Sequence, residues 1–327
     1  MNIDIMKTCD ICPRRCAIQD GARGACRVRL NAGGTLVSST FGKPCAVHVD
    51  PLEKKPLFHF HPGEAVLSIG TAGCNLTCKN CQNADLSQGD GVALQTYSLP
   101  PDKLPGLARR EGCRHVAYTY TEPLVSYEYL LACCKTARAA GLSNVVVTAG
   151  YVNRKPLAQL IPFLEAVNLD IKAFNDDFYN KVCGATLQPV LAAARQLHAA
   201  GVHLEITNLV IPTLNDSDHD MKGLCDWIVQ TLGPETPFHI SRFFPCHHMM
   251  DLPPTPRATL LRAREIAVAS GLQYVYVGNI EIPDGGTTHC PSCKTPLIRR
   301  SGYMITESRL TARGRCPECK TPIYGRF

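Results

Sequence analysis

The sequence predicts an α/β fold: a partial (β/α) barrel left open, with a cysteine-rich segment before it and a small metal ribbon after it. Three observations carry this reading. From Ala65 to Ile280, helical runs stop at a glycine and a β-rich run follows. Gly112 precedes HVAYTY, Gly141 NVVVTAG, Gly201 HLEITNLVI, Gly233 PFHISRF and Gly271 LQYVYVG. Strands that alternate with helices in this way pair in parallel. With AVLSIG (Ala65–Gly70) and AVNLDIK (Ala166–Lys172) included, the strands number about six or seven, short of a closed eight-stranded barrel. The third observation is polarity: strands buried on both faces carry polar residues near their C-terminal ends, which a lined cavity explains.

The 327 residues are 45% hydrophobic and 19% charged, enough to bury a large core with attachments. The expected division is 1–30 for a four-cysteine segment, 31–63 for a strand and loop leading into the barrel, 64–282 for the barrel and 283–327 for the ribbon. No apolar run reaches the roughly 20 residues of a membrane helix. MNIDIMKTCDIC has no apolar signal-peptide core. A cytoplasmic protein with no membrane partner is therefore expected, and in that setting eighteen cysteines argue for metal ligation over disulfides. The formal charge of +6 counts thiols as neutral. Filled thiolate sites would lower it to roughly zero to +1, so the basic balance gives little reason to expect a nucleic-acid partner.

Taken in order, the first block, TCDICPRRCAIQDGARGACRVR, brings four soft ligands, Cys9, Cys12, Cys16 and Cys26, into a segment with little apolar material. That predicts a closed structural site for zinc or a second iron–sulfur cluster. In the next stretch, Phe41 to Gly63, AVHV is a short strand and three prolines make the rest extended. His48, His59 and His61 lie there beside Asp50 and Glu53, in either a surface loop or a lid over the loop that follows.

That following loop, GTAGCNLTCKNCQN, carries Cys74, Cys78 and Cys81 directly after a strand. Three thiolates can hold three corners of a four-iron four-sulfur (4Fe-4S) cluster, leaving the fourth iron open for a substrate. In a barrel of this kind the chemistry gathers at the C-terminal strand ends. Those ends offer Thr119, Thr121 and Glu122; Thr148 and Tyr151; Asp170 and Lys172; Glu205, Thr207 and Asn208; His239, Ser241 and Arg242; and Asn279. Asp170 with Lys172 also reads as a buried ion pair, and His239 as a hydrogen-bonded core histidine. Cys133 and Cys134, inside an apolar helix, read as core, and Cys246–Met250 as a solvated loop. In the tail, HCPSCK and RCPECK place Cys290, Cys293, Cys316 and Cys319 in two knuckles flanking a hairpin, the pattern of a zinc ribbon.

The cluster loop resembles that of radical S-adenosylmethionine (SAM) enzymes. Beyond it, the stretches DPLEKKPLFHF, YTYTEP, NLDIKAF, LEITNLVIPTLND, PFHISRFFP, TPRATLLRAREIA and YVYVGN resemble the radical SAM enzyme of the AmmeMemoRadiSam system, over nearly the whole chain. The barrel is also similar to pyruvate formate-lyase activating enzyme, which places a glycyl radical on a partner protein. The resemblance implies a radical SAM barrel in which SAM chelates the fourth iron. It implies that Glu122 faces the SAM methionine amine, that Asp170 and Lys172 stand near SAM, and that His239 stands near the nucleoside. Asn80 occupies the position before the third cysteine, where relatives carry an adenine-packing aromatic residue. Thr148 and Asn80 join Glu122 and His239 as the expected cofactor-binding set, and Glu122, Asp170, Lys172 and His239 form the catalytic set. The expected cofactors are a 4Fe-4S cluster, SAM and zinc. Expected partners are an external electron donor and a protein substrate, or the Memo-like and AMMECR-like proteins of that system. The reading from another class is a metal-binding protein- or RNA-interaction module on an inactive barrel.

Overall fold

The computed structural model describes residues 6–89 and 94–327. The first five residues, part of the stretch read as lacking a signal peptide, lie outside the described residues. All eighteen cysteines are free thiols.

The N-terminal segment is held by two short antiparallel pairs. β1 (Lys7–Thr8) pairs with β2 (Ala17–Ile18), and Cys9 N donates to Cys16 O at 2.9 Å. β3 (Arg29–Ala32) and β4 (Thr35–Ser38) form a hairpin around Gly33 and Gly34, whose φ values of 60° and 84° suit a two-residue turn. A boundary at residue 30 would cut this hairpin, so the N-terminal unit runs on to Ser38.

The central sheet has eight strands in the order β12-β11-β10-β9-β8-β7-β6-β5. β5 (Ala46–Pro51) is antiparallel to β6 (Ala65–Gly70). From β6, six further strands follow in parallel: β7 (His115–Tyr118), β8 (Ser143–Thr148), β9 (Ala166–Asp170), β10 (His203–Val210), β11 (Phe238–Arg242) and β12 (Val275–Gly278). Among the described residues the strand count is seven parallel plus one antiparallel edge, and β12 and β5 are the two ends of the sheet. Between the strands lie α1 (Ala84–Ser87), α2 (Leu104–Arg110), α3 (Tyr127–Ala139), α4 (Arg154–Leu160), α5 (Asp176–Phe178), α6 (Leu187–Ala199), α7 (Asp218–Leu232) and α8 (Arg257–Ala269). Gly141 and Gly201, at φ 79° and 71°, end α3 and α6 and turn the chain into β8 and β10.

Alternation along the strands separates two faces. Val146, Leu169, Ile206 and Ile240 point outward into the helix-side core and are almost fully buried. A second cluster fills the strand-start end of the barrel: Val66, Ala117, Val145 and Ala166 meet Leu52, Leu57 and Phe60. The segment after β5 is therefore neither a surface loop nor a lid over the cluster loop. It plugs the opposite end of the barrel, because Leu52, Leu57 and Phe60 offer apolar side chains at 0–1% exposure and a buried carboxylate captures its backbone. That carboxylate is Glu205, which accepts from Phe58 N at 3.0 Å and His59 N at 2.8 Å.

The C-terminal unit is a three-stranded antiparallel sheet, β13 (Thr288–His289), β14 (Pro296–Ser301) and β15 (Met304–Ser308). It docks on the plug. Arg300 pairs with Glu53, donates to Phe58 O at 2.8 Å and stacks over the Phe58 ring. Arg326 N donates to His59 O, and His61 N donates to Arg326 O.

Candidate active site

The three-cysteine loop leaves β6 and is tied down on several sides. Thr77 N donates to Cys183 O and Lys79 N to Val182 O, both on the π-helical turn Tyr179–Cys183. His248 N donates to Lys79 O, and Cys246 Sγ to Asn80 O at 3.3 Å. Cys246–Met250 is thus tied to this loop at Cys246 and His248, while Met250 stays exposed as a solvated loop would have it. Asn75 Nδ2 donates to Tyr151 O, and Gln88 Nε2 to Cys78 O. Gly73 sits at φ 94°, where a Cβ would fall 2.7 Å from Cys26 O. A glycine is required there by both conformation and space.

Strand tips meet at this loop. Glu122, 1% exposed, accepts from Thr148 Oγ1 at 2.8 Å, Ala149 N at 2.9 Å and Leu124 N at 3.2 Å. Burial raises its pKa, against the pull of these donors and of Lys172. Burial likewise pushes the Cys74 thiol up, and Glu122 adds to the rise. On the other side of the loop, the Cys78 thiol is drawn down, first by the Cys183 thiol beside it and, against burial, by Lys172. Lys172 pairs with Asp170, and both side chains keep about a quarter of their surface exposed, at 23% and 28%. Burial opposes the Lys172 charge, yet Asp170 and Cys78 hold its pKa up. Glu122, Thr148, Asp170 and Lys172 are therefore brought to one loop.

His239 is placed differently. Thr207 pairs with Asp170 on one side and His239 on the other, so the three share one row of the inner face. The His239 ring, however, turns toward the plug. Its Nε2 lies 2.7 Å from Glu205 Oε2, and it packs on Phe58 and Tyr276 with ring centroids 4.8 and 5.2 Å away. His203 Nε2 reaches the other Glu205 oxygen at 3.0 Å. Burial would raise the Glu205 pKa, but these two imidazoles hold it far below the usual range. His239 thus belongs to the chamber floor, with Phe58 and Tyr276.

Sequence reasoning missed Cys183 and the backbone role of Val182. Nothing local marks them; a lone cysteine past a helix gains meaning only when the fold lays it beside Cys78. The Glu205 carboxylate was noted as a strand-tip group, but two of its four partners, Phe58 N and His59 N, were hidden in a distant segment.

A 4Fe-4S cluster fits the residues present. Among the described residues, ligand atoms gather within 4.8 Å in two groups, Cys290–Cys293–Cys316–Cys319 and His61–Glu64–His115. The Cys74, Cys78 and Cys81 sulfurs do not all lie within that distance of one another, which suits thiolates that each take a different iron. Asn80, 7% exposed, has a buried Oδ1 with no hydrogen-bond partner, so an acceptor is free at the loop. In the tail, Cys290 and Cys319 sulfurs are 3.4 Å apart and those of Cys293 and Cys316 3.6 Å apart, a four-thiol site for one metal ion.

Comparison with known proteins agrees with this geometry. Residues 68–227 match the model of the Radical SAM superfamily. The chain is a radical SAM enzyme. It is 43% identical over 292 residues to the uncharacterized protein MJ0808 of Methanocaldococcus jannaschii, covering 89% of this chain and 87% of that protein, and belongs to one family with it. It is 28% identical over 160 residues to the pyruvate formate-lyase-activating enzyme of Clostridium pasteurianum, covering 48% of this chain and 66% of that enzyme. It is 30% identical to the isethionate sulfite-lyase activating enzyme of Nitratidesulfovibrio vulgaris, covering 32% of this chain and 34% of that enzyme. Streptococcus suis SuiB bound to precursor peptide SuiA shares the fold, with a TM-score of 0.51 and 14% identity over 70% of this radical SAM chain and 52% of SuiB. The family implies a 4Fe-4S cluster and SAM. No helix among the described residues is long and apolar enough to cross a membrane.

Proposed function

We propose that this enzyme cleaves SAM reductively at a cluster held by Cys74, Cys78 and Cys81, and that its substrate is a partner protein. A 4Fe-4S cluster on these thiolates would supply the electron that splits SAM into methionine and a 5′-deoxyadenosyl radical, which abstracts a hydrogen atom. The observation that carries the reading is the convergence of Glu122–Thr148 and Asp170–Lys172 on a loop with three thiolates.

In this reading Glu122 takes the methionine amine, and Lys172, held by Asp170, takes the carboxylate. Asn80 Oδ1 accepts from the cofactor, and Phe58, His239 and Tyr276 form an aromatic floor that keeps water from the nucleoside side. A primary carbon radical attacks most C–H bonds it meets, so a dry, rigid floor protects both reagent and protein. We further propose zinc at Cys290, Cys293, Cys316 and Cys319 and a low-potential external electron donor.

A partner protein is favoured by the relatives named for activating another enzyme. The open sheet supports it too: a cavity of about 630 Å³ lies beside the free edge of β12, lined by Phe58, Asn279, Ile280 and Arg300–Tyr303. It is large enough for a peptide loop, such as a glycyl-radical segment. The AmmeMemoRadiSam resemblance names the candidate partners, Memo-like and AMMECR-like proteins. Anaerobic reconstitution with dithionite and SAM tests the reaction: 5′-deoxyadenosine forms with the intact chain and not with Cys74→Ala. Equal yields from the two would end the proposal.

A further inference from the structure

The N-terminal cysteines were open to two metals on sequence grounds, and the spacing of their sulfurs bears on the choice. A single zinc with Zn–S of about 2.3 Å holds its four sulfurs about 3.8 Å apart. The tail quartet meets this spacing, with sulfurs at 3.4 and 3.6 Å. The N-terminal quartet does not: no three of the Cys9, Cys12, Cys16 and Cys26 sulfurs fall within 4.8 Å of one another. They line the walls of one small cavity instead, together with Arg29 and Asn75. Like Cys74, Cys78 and Cys81, they form no group with all sulfurs within 4.8 Å of one another. Sulfurs spread around a void suit a cluster in which each thiolate takes its own iron.

Polar groups also stand beside these sulfurs. Arg29 is 5% exposed, and its buried Nε has no hydrogen-bond partner. Its guanidinium lies beside the Cys9 thiol. A buried donor left over at the edge of a sulfur-lined cavity is costly unless sulfur or sulfide accepts from it. Ala25 N already donates to Cys16 Sγ at 3.5 Å.

The cavity also adjoins the active site. Asn75, the neighbour of Cys74, lines it. Arg14 donates to Asn75 O, and Cys26 O touches Gly73 closely enough to exclude a Cβ. One residue of chain, on either side of Cys74, separates the two thiol sets.

We infer that Cys9, Cys12, Cys16 and Cys26 hold a second four-iron cluster, set against the Cys74–Cys81 loop to pass electrons to it. One electron from an external low-potential donor enters this cluster and leaves it for the SAM-binding one, with no proton or bond change at the relay. The hand-off rests on the reaction proposed above; the ligation does not.

The test is metal and sulfide content of the full chain, reconstituted without air. In Cys74→Ser/Cys78→Ser/Cys81→Ser, about four irons, four sulfides and one zinc remain, with an electron paramagnetic resonance signal on reduction. Two zincs and no sulfide would overturn the assignment. A second variant guards against a folding failure in the first. Cys9→Ser/Cys26→Ser lowers iron from about eight to about four and leaves zinc at about one; zinc falling from two to one with iron unchanged would overturn the assignment equally. In that variant, reduction of the remaining cluster by a reduced ferredoxin is at least about tenfold slower than in the intact chain, while reduction by dithionite is not. Equal rates with the ferredoxin would remove the relay. These counts are independent of SAM cleavage, so two clusters without 5′-deoxyadenosine would sink the proposed reaction alone.

Discussion

At Gly73 two demands meet in one residue. Its φ of 94° strains any side chain, and a Cβ would press on Cys26 O at 2.7 Å. Gly73→Ala should cost about 1–3 kcal/mol. The strain falls on the cluster loop, so reconstituted iron per chain should drop with the melting temperature. Wild-type iron and melting would show that the loop shifts freely. Glu122 is the other residue whose environment fixes its chemistry. Both its oxygens accept from backbone N–H groups, so an amide in its place must turn a donor toward a donor. Glu122→Gln should weaken SAM binding about tenfold, or about 1.4 kcal/mol, read by equilibrium dialysis on the reconstituted protein. Unchanged affinity would take Glu122 out of the SAM site.

The element that sequence reading placed least well is the plug, 52–61. Pro56, the flanking Pro51 and Pro62, and its histidines pointed to a loop at the surface or over the cluster. The fold uses it as the barrel's bottom layer, because its three apolar side chains match the small residues Ala117 and Ala166 at the strand starts. Glu205 then fixes it by accepting two backbone N–H groups. Leu57 is fully buried in that layer. Leu57→Ala should lower stability by about 2–5 kcal/mol, followed by denaturant unfolding of the zinc- and iron-loaded chain. A loss under about 1 kcal/mol would mean the layer collapses around the gap. The strands themselves were far more legible. Seven parallel strands lie where the runs predicted, because glycine stops and β-rich runs are local signals. Cys133 and Cys134 are wholly buried in α3, as their apolar surroundings implied.

Over the whole molecule, barrel, plug and ribbon are joined at His59. Its Nδ1 meets Tyr324 O, and its Nε2 meets the Tyr276 hydroxyl. Burial, against the pull of Glu205, lowers its pKa from 6.5 to about 3. Above pH 6.5 the imidazole is neutral in both folded and unfolded chains, and its full contribution is present. As pH falls below 6.5 the unfolded chain takes up a proton that the folded one refuses, so stability is lost down to about pH 3. Between pH 6.5 and 5 this one group should remove somewhat under about 2 kcal/mol. Urea unfolding across that range should show the slope, and His59→Phe should flatten it. An identical slope in the variant would assign the acid sensitivity elsewhere.

The order of strands, the three-thiolate loop and the paired knuckles of the tail were determined by the sequence alone, since each is written in contiguous residues with its own spacing. Tertiary structure decided what those pieces face. Cys183 came to Cys78, the plug went under the chamber, His239 turned to Glu205, and the N-terminal sulfurs spread around a void next to Cys74. The reason is that spacing along the chain states which atoms could serve as ligands. How far apart they stand, and what lies between them, is set only when distant segments pack.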